Sequence, residues 1–130
     1  LRLPIEFLPL GALSLLLAML LTSAVTVALT GSYFWTISGQ GINRIVPMLG
    51  NLMAGNVVPL GLFPAGVRQV LRALPFASML DAPLRILVGA VNLQQALELV
   101  GLQMAWLIGL LALGRCVIHA GVRKCVVQGG

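Results

Sequence analysis

Three long stretches without a charged side chain constrain what this chain can fold into. No Asp, Glu, Lys or Arg occurs between Glu6 and Arg44, between Arg44 and Arg68, or between Glu98 and Arg115. A transmembrane helix needs about 20 mostly apolar residues, so the first gap holds one span and a turn, and the second holds one span. The third gap is long enough for a span if Glu98 and Arg115 lie at the two membrane interfaces, where long side chains keep their charged ends in water. With 8% charged residues, against about 25% in soluble domains, the chain is predicted to be a membrane protein.

The same spacing predicts an all-α membrane protein with three transmembrane helices and a re-entrant helical hairpin between the second and the third. The spans are predicted at about residues 8–33, 43–63 and 97–119, and the hairpin at about 64–91. Tyr33, Phe34 and Trp35 mark the end of the first span, because aromatic rings concentrate at the head-group level. The Ser and Thr residues of that span are expected either to bond across a helix contact or to bond back to their own helix.

The hairpin is predicted from the prolines Pro59, Pro64, Pro75 and Pro83. Each proline removes a backbone donor and clashes with the preceding helical turn. A short helix fits between Pro64 and Pro75, where apolar residues recur at helical spacing, and a second arm is predicted over 83–91. Irregular backbone at membrane depth persists only when it is buried in protein or lines a wet cavity. The stretch is therefore expected to pack against neighbouring helices and to line a route.

Several polar side chains fall within or near these apolar segments. Asn51 and Asn56 carry amides that lipid would penalise, so they are expected to face protein or water. Arg68 and Arg72 share one face of the short helix, within reach of Asp81. Such charges either pair or line a pathway, or they extend to the outer head groups, and the second interpretation is preferred.

Other functional classes lack the residues that they need. Cys116, His119 and Cys125 are the soft ligands, one fewer than a structural zinc site requires, so no metal site is predicted. The acids lie far apart in sequence, and no nucleotide-binding or hydrolase motif is present. The net charge of +5 comes from basic residues scattered at membrane edges, which is typical of topology signals rather than of nucleic-acid binding. Lysine and arginine counts are equal on the two sides and do not decide the orientation.

Several short motifs, taken in order, resemble a known family. They are Tyr33-Phe34-Trp35-Thr36, then Gly55-x-x-x-Pro59-Leu60-x-x-Phe63-Pro64, then Leu74-Pro75-Phe76-Ala77, Pro83 and Gly89, and last Val126-Val127-Gln128-Gly129-Gly130. This order and spacing resemble the C-terminal half of a type-2 ABC exporter permease, and in particular the bacterial six-span permeases that end in a Val-Gln-Gly-Gly-like tail. The resemblance covers nearly the whole chain.

The resemblance implies that residues 1–130 are the C-terminal half of a six-span permease domain in the bacterial inner membrane. Its C-terminus would be cytoplasmic and its hairpin extracellular. Such permeases pair as homodimers or heterodimers and bind ATP-binding-cassette ATPase subunits, which hold the ATP, so the chain itself would be neither an enzyme nor a cofactor-binding protein. It starts at Leu1 and is expected to be a piece of a longer chain. The main coupling helix of the family lies between earlier spans, so this piece alone is not expected to transport.

In this interpretation the chain forms the substrate path and outer gate, while the partner ATPases drive alternating access. The predicted path or gate residues are Asn51, Gly55, Asn56, Pro59, Pro64, Arg68, Arg72, Pro75 and Phe76. The predicted contacts to an ATPase subunit are Gln40, Asn43, Arg44, Arg123 and Lys124. A path of this composition suits lipids, drugs, peptides or glycans equally. The alternative is a small non-transporting multi-span membrane scaffold or assembly protein; an intramembrane enzyme and a channel pore lack their usual signatures.

Overall fold

The computed structural model describes the backbone of residues 5–31, 40–53 and 55–129, without the side chains of residues 6, 40, 42, 43 and 124–129. The five α-helices in these ranges are α1 Leu8–Gly31, α2 Gln40–Met53, α3 Ala65–Ala73, α4 Pro75–Leu87 and α5 Leu93–Gly129. Short 3-10 helices precede α1 at Ile5–Phe7 and α3 at Leu60–Leu62. No strand occurs in the ranges given, so the prediction of a helical chain is confirmed. The aromatic cluster at residues 33–35 lies outside them.

Two helices are long and apolar enough to cross a membrane. They are α1, with 24 residues, and the part of α5 from Leu93 to Arg123, with 31 residues. Both expose large apolar side chains: Met19 on α1 is 67% exposed and Ile108 on α5 is 65% exposed. Apolar surface of this extent is typical of a protein that faces lipid or further helices. These helices correspond to the first and third predicted spans.

α1 packs on α4 and α5 through small residues on one face. Gly11, Ser14, Ala18 and Ala24 are buried there, and small side chains let helix backbones approach closely. A Cβ atom on Gly11 would clash with the Leu87 side chain of α4. α1 is therefore the helix around which the other two are packed.

α1 and α5 run in the same direction. At one end of the bundle, Leu10 packs against a core that includes Val91 and Ala96. At the other end, a Cβ on Gly31 would lie 3.1 Å from Cγ1 of Ile118. Because both helices lead from the first end to the second, the chain between them has to return along the bundle.

α2 covers only part of the predicted second span. It has 14 residues, which gives a length of about 21 Å at 1.5 Å per residue, against about 30 Å for the hydrocarbon core. It is followed by Gly55 with a φ of +88°, a backbone conformation that glycine adopts without steric cost. The three-span arrangement therefore stays a prediction. α2 begins at Gln40, three residues before the predicted start of the second span at about residue 43.

Three of the four hairpin prolines stand at helix boundaries. Pro59 and Pro64 are the N-caps of the second 3-10 helix and of α3, and Pro75 is the first residue of α4. Proline is suited to a helix start, where its missing N–H would have no helical partner. The short helix predicted between Pro64 and Pro75 is confirmed as α3.

The prediction that the second arm begins at Pro83 is wrong, because α4 begins at Pro75 and contains Pro83 in its interior. An internal proline costs about 3 kcal/mol or more in an isolated helix. In α4 the Pro83 side chain is fully buried, and the packing of the helix against α1 and α5 offsets the lost hydrogen bond. Tertiary contacts here override the local preference.

Candidate functional site

A cleft of about 290 Å³ lies between α1, α2 and α4. α1 contributes two threonines and two apolar side chains, and α2 with the turn after it contributes Asn51 and Asn56. The α4 wall includes Phe76 and Met79. None of the described side chains that line the cleft carries a charge. It is larger than a second cavity, of about 230 Å³, beside Thr30 and Ile118, and we take it as the candidate site.

The hydroxyls on the α1 wall bond back to their own helix. Thr22 donates to the carbonyl of Ala18 and Thr26 donates to the carbonyl of Thr22, both at 2.9 Å. Ser23 and Thr30 make the same contact one turn back. Back-bonding thus accounts for four of the five hydroxyls whose role the sequence left open. Because each donor is used, the threonine oxygens can act towards the cleft only as acceptors.

The two asparagines are bonded to each other. Nδ2 of Asn56 donates to Oδ1 of Asn51 at 3.0 Å, and the backbone N–H of Asn56 donates to the carbonyl of Asn51 at 3.1 Å. The left-handed turn at Gly55 brings the two residues together. The pair leaves three amide N–H hydrogens, two on Asn51 and one on Asn56, and the amide carbonyl of Asn56 without a further side-chain partner among the described residues, next to the cleft.

α2 meets α4 at one close contact. A Cβ on Gly50 would lie 2.8 Å from Cδ1 of Phe76, so the glycine lets α2 approach the aromatic ring. Phe76 and Asn51, both predicted path residues, lie on the cleft wall as a result. This contact sets the width of the cleft at its α2–α4 corner.

A buried amide joins the three packed helices. Oε1 of Gln103 on α5 accepts a hydrogen bond from Oγ of Ser14 at 2.8 Å. Its Nε2 donates to the backbone carbonyls of Ser14 at 3.1 Å and of Ser78 on α4 at 2.7 Å. Ser14 and Gln103 are fully buried and Ser78 is 2% exposed. Of the two alternatives predicted for the hydroxyls of the first span, Ser14 therefore follows the one in which the hydroxyl bonds to another helix.

Sequence reasoning missed the role of Gln103, although a signal was present. Gln103 is an amide in the charge-free run between Glu98 and Arg115, where an unpaired polar group would be costly. α5 also holds the hairpin through Trp106, whose Nε1 donates to the carbonyl of Ala73 at 2.8 Å. Gln103 and Trp106 therefore fix both helices of the hairpin to α5.

The charged residues of the hairpin form partly exposed ion pairs. Nε of Arg72 lies 3.6 Å and Nη1 of Arg85 lies 3.8 Å from Oδ2 of Asp81. The expectation that Asp81 can reach an arginine of α3 is confirmed for Arg72. Contact of these arginines with lipid head groups stays a prediction. None of the ion pairs in the described ranges includes Arg68. Pairs this exposed are worth about 0–1 kcal/mol each.

The predicted site residues do not all converge. Of the nine path or gate residues, the cleft is lined by Asn51, Asn56 and Phe76, and the other six are not among its lining residues: Gly55, Pro59, Pro64, Arg68, Arg72 and Pro75. Among the predicted ATPase contacts, Arg44 and Arg123 are exposed on α2 and α5. The side chains of Gln40, Asn43 and Lys124 lie outside the description. The roles of both groups remain predictions.

The soft ligands considered for a metal site are spread along α5. Cys116 and His119 are both exposed, and the Cys125 side chain is among those not described. Within the described ranges, no three His, Cys, Asp or Glu residues are placed to hold a metal ion.

A family model described as ABC-2 family transporter protein matches residues 3–129. The match extends over both membrane-length helices, the hairpin and the cleft. It agrees with the permease family that the order of the motifs resembles. Neither the curated proteins nor the solved structures give a match.

Proposed function

The chain belongs to the ABC-2 family of transporter proteins, and from this premise we propose that it is a transmembrane permease part of an ATP-binding-cassette export system. In this role it forms the wall of the substrate path, and partner ATPase subunits bind and hydrolyse ATP. No covalent step falls to this chain. The observation that carries the proposal is the uncharged cleft between α1, α2 and α4, which lies next to the interrupted backbone of residues 55–64.

The parallel direction of α1 and α5 supports a three-span topology. When two helices cross a membrane in the same direction, the chain between them crosses it an odd number of times. α2 is too short to make that crossing alone, since it covers about 21 Å of about 30 Å. The return crossing is therefore assigned to α2 together with residues 55–64.

The interrupted backbone supports a route at this place. Irregular backbone at membrane depth is stable only where protein covers it or where it borders a wet cavity. Leu60 is 5% exposed and so anchors the segment against the protein, whereas the side chain of Asn56 lies at the cleft. The segment is therefore covered by protein at Leu60 and borders a cavity that contains asparagine amides at Asn56.

The hairpin of α3 and α4 is proposed as the fixed side of the outer gate. Hydrogen bonds from Gln103 and Trp106 hold it to α5, and α1 packs along α4. α2 is the movable side, because Gly50 is its one buried residue among those described. Binding and hydrolysis of ATP in the partner subunits would move α2 away from α4 and open the cleft.

The gate is tested by replacing the two prolines that keep the return crossing interrupted. A Pro59→Ala/Pro64→Ala double variant lets the backbone extend as a helix, so we expect export by the transporter to fall several-fold at normal membrane levels. Pro9→Ala is the matched control, because Pro9 is an exposed proline in the first turn of α1. Unchanged export in the double variant would contradict the gate. Co-purification with a tagged ATPase subunit, and ATP hydrolysis by the complex, test the partnership separately.

A further inference from the structure

We propose that the cleft between α1, α2 and α4 binds a neutral amphiphile with a hydroxyl-bearing head group. The head group would bond to the Asn51–Asn56 pair, and the apolar part would pack on Phe76 and Met79. The inference rests on the proposed transport function and names the class of substrate that the path accepts.

The first argument is charge. In the part of the chain that the structure describes, no Asp, Glu, Lys or Arg lines the cleft, and the hairpin charges Arg72, Asp81 and Arg85 are engaged with one another. An ionised group that enters apolar surroundings without a counter-charge loses far more hydration than weak dipoles return. A carboxylate or an ammonium ligand would find no counter-charge on the described lining of this cleft, so we infer that the ligand is neutral.

The second argument is the unused hydrogen-bonding capacity of the asparagine pair. One N–H and one carbonyl are engaged between Asn51 and Asn56. With either assignment of the two amides, three N–H hydrogens and one free amide carbonyl remain beside the cleft, and leaving them unpaired at membrane depth is costly. A ligand hydroxyl is both a donor and an acceptor and matches both, whereas an ester only accepts.

The third argument is the balance between donors and acceptors. The hydroxyl hydrogens of Thr22 and Thr26 are used within α1, so their oxygens add acceptors to the cleft but no donors. With the amide oxygens of Asn51 and Asn56, the cleft has four acceptor oxygens against three unused amide N–H hydrogens. This balance favours a head group with several hydroxyls, such as a glycerol or a sugar.

The apolar lining and the size of the cleft complete the description of the ligand. Phe76 offers a large apolar face, and Met79 has a flexible side chain that adapts to different shapes. The volume of about 290 Å³ is at the lower end of ligand pockets, which span about 300–1,000 Å³. The cleft would therefore hold the head group and the first part of a chain, and the remainder would lie along the exposed apolar surface.

The inference is tested with a photoreactive monoacylglycerol bound to the protein in lipid nanodiscs. We expect saturable crosslinks that map to residues 22–29, 46–56 or 76–80. Unlabelled monooleoylglycerol should displace the probe, whereas methyl oleate, which lacks the hydroxyls, and oleate, which is charged, should not. Equal displacement by methyl oleate or by oleate would overturn the inference, as would crosslinks that map elsewhere.

Variants test whether the Asn51–Asn56 pair binds the hydroxyl-bearing head group. Asn56→Leu should weaken monooleoylglycerol binding about two- to tenfold, which corresponds to the loss of one neutral hydrogen bond. Gln69→Leu is the matched control, because Gln69 is an exposed amide on α3 outside the cleft, and its binding should equal that of the unchanged protein. Thr26→Val provides a second variant in case Asn56→Leu is poorly folded, with a smaller loss expected. Equal affinity in the folded variants and the control would overturn the inference.

Failure of the site and failure of transport are distinguishable. If the probe binds as described but the reconstituted transporter exports nothing, the transport proposal fails and the binding site stands. If the transporter exports other compounds while the probe does not bind, the site inference fails and the transport proposal stands.

Discussion

α4 and α2 are the two walls of the same cleft, and the rest of the chain holds them very differently. On α4, Ala77, Ala82 and Ile86 are at most 2% exposed. On α2, Gly50 is the one buried residue of those whose side chains are described. Both helices contain an internal proline, but Pro83 of α4 is fully buried whereas Pro47 of α2 is exposed.

The difference shows which wall of the cleft can move. A helix as short as α2 is marginal by itself, since most helical stability in proteins comes from packing. α2 touches α4 through the contact between Gly50 and Phe76, whereas α4 accepts a hydrogen bond from Gln103 of α5 and buries apolar residues against α1 and α5. We therefore expect changes on the α1–α4–α5 side to affect stability, and changes on the α2 side to affect function.

The largest effect is expected at the contact between α1 and α4. Gly11→Leu places a side chain where Leu87 lies, and overpacking of this kind costs about 1–3 kcal/mol. The thermal midpoint of the purified protein should fall accordingly. Gly101→Leu is the matched control, because no atom lies within 4 Å of a Cβ at Gly101. Equal midpoints for the two variants would mean that α1 and α4 are not tightly packed.

A somewhat smaller loss is expected when the buried amide is removed. Gln103→Leu deletes three hydrogen bonds and leaves the hydroxyl of Ser14 without its partner. Polar contacts between membrane helices are worth about 0.6–2 kcal/mol each, and the apolar replacement recovers part of this. Thermal unfolding is again the measurement, with Gln69→Leu as the exposed control. A midpoint as high as that of the control would contradict the role of Gln103 in fixing the hairpin.

The smallest loss of stability is expected at the contact between α2 and α4. Gly50→Leu also places a side chain against a neighbour, here the Phe76 ring. Because α2 can move away, we expect a stability change below about 1 kcal/mol, within the range of ordinary surface substitutions, together with altered export. Gly41→Leu, where a Cβ meets nothing within 4 Å, is the control. A loss as large as that of Gly11→Leu would remove the contrast between the two walls.

The parts of this architecture that depend on local composition could be predicted from the sequence. Charge-free runs indicate α1 and α5, because a membrane span requires apolar length. Pro64 and Pro75 bracket α3, because proline limits a helix from both sides. The order of the motifs resembles the family that the match over residues 3–129 identifies.

The parts that depend on tertiary contacts could not be predicted. Pro83 continues α4 only because the helix is buried, and burial of a particular turn is not visible in local sequence. Gln103 meets Ser14 and Ser78 across three helices, and no spacing rule links those positions. The bond between Asn51 and Asn56 likewise requires the left-handed turn at Gly55, which brings together two residues that a continuous helix would separate.

The central claim, that α2 moves against a fixed α1–α4–α5 unit, is tested most directly by spin-label distances in the reconstituted transporter. In a background without Cys116 and Cys125, one pair of labels joins exposed positions on α2 and α4, Met48→Cys and Leu84→Cys. The control pair joins α1 to α4 through Leu16→Cys and Leu84→Cys, also at exposed positions. On addition of ATP we predict that the first distance changes by about 2 Å or more, the scale of helix shifts in such transitions, and that the second stays constant. A constant α2–α4 distance, or an equal change in both pairs, would contradict the account.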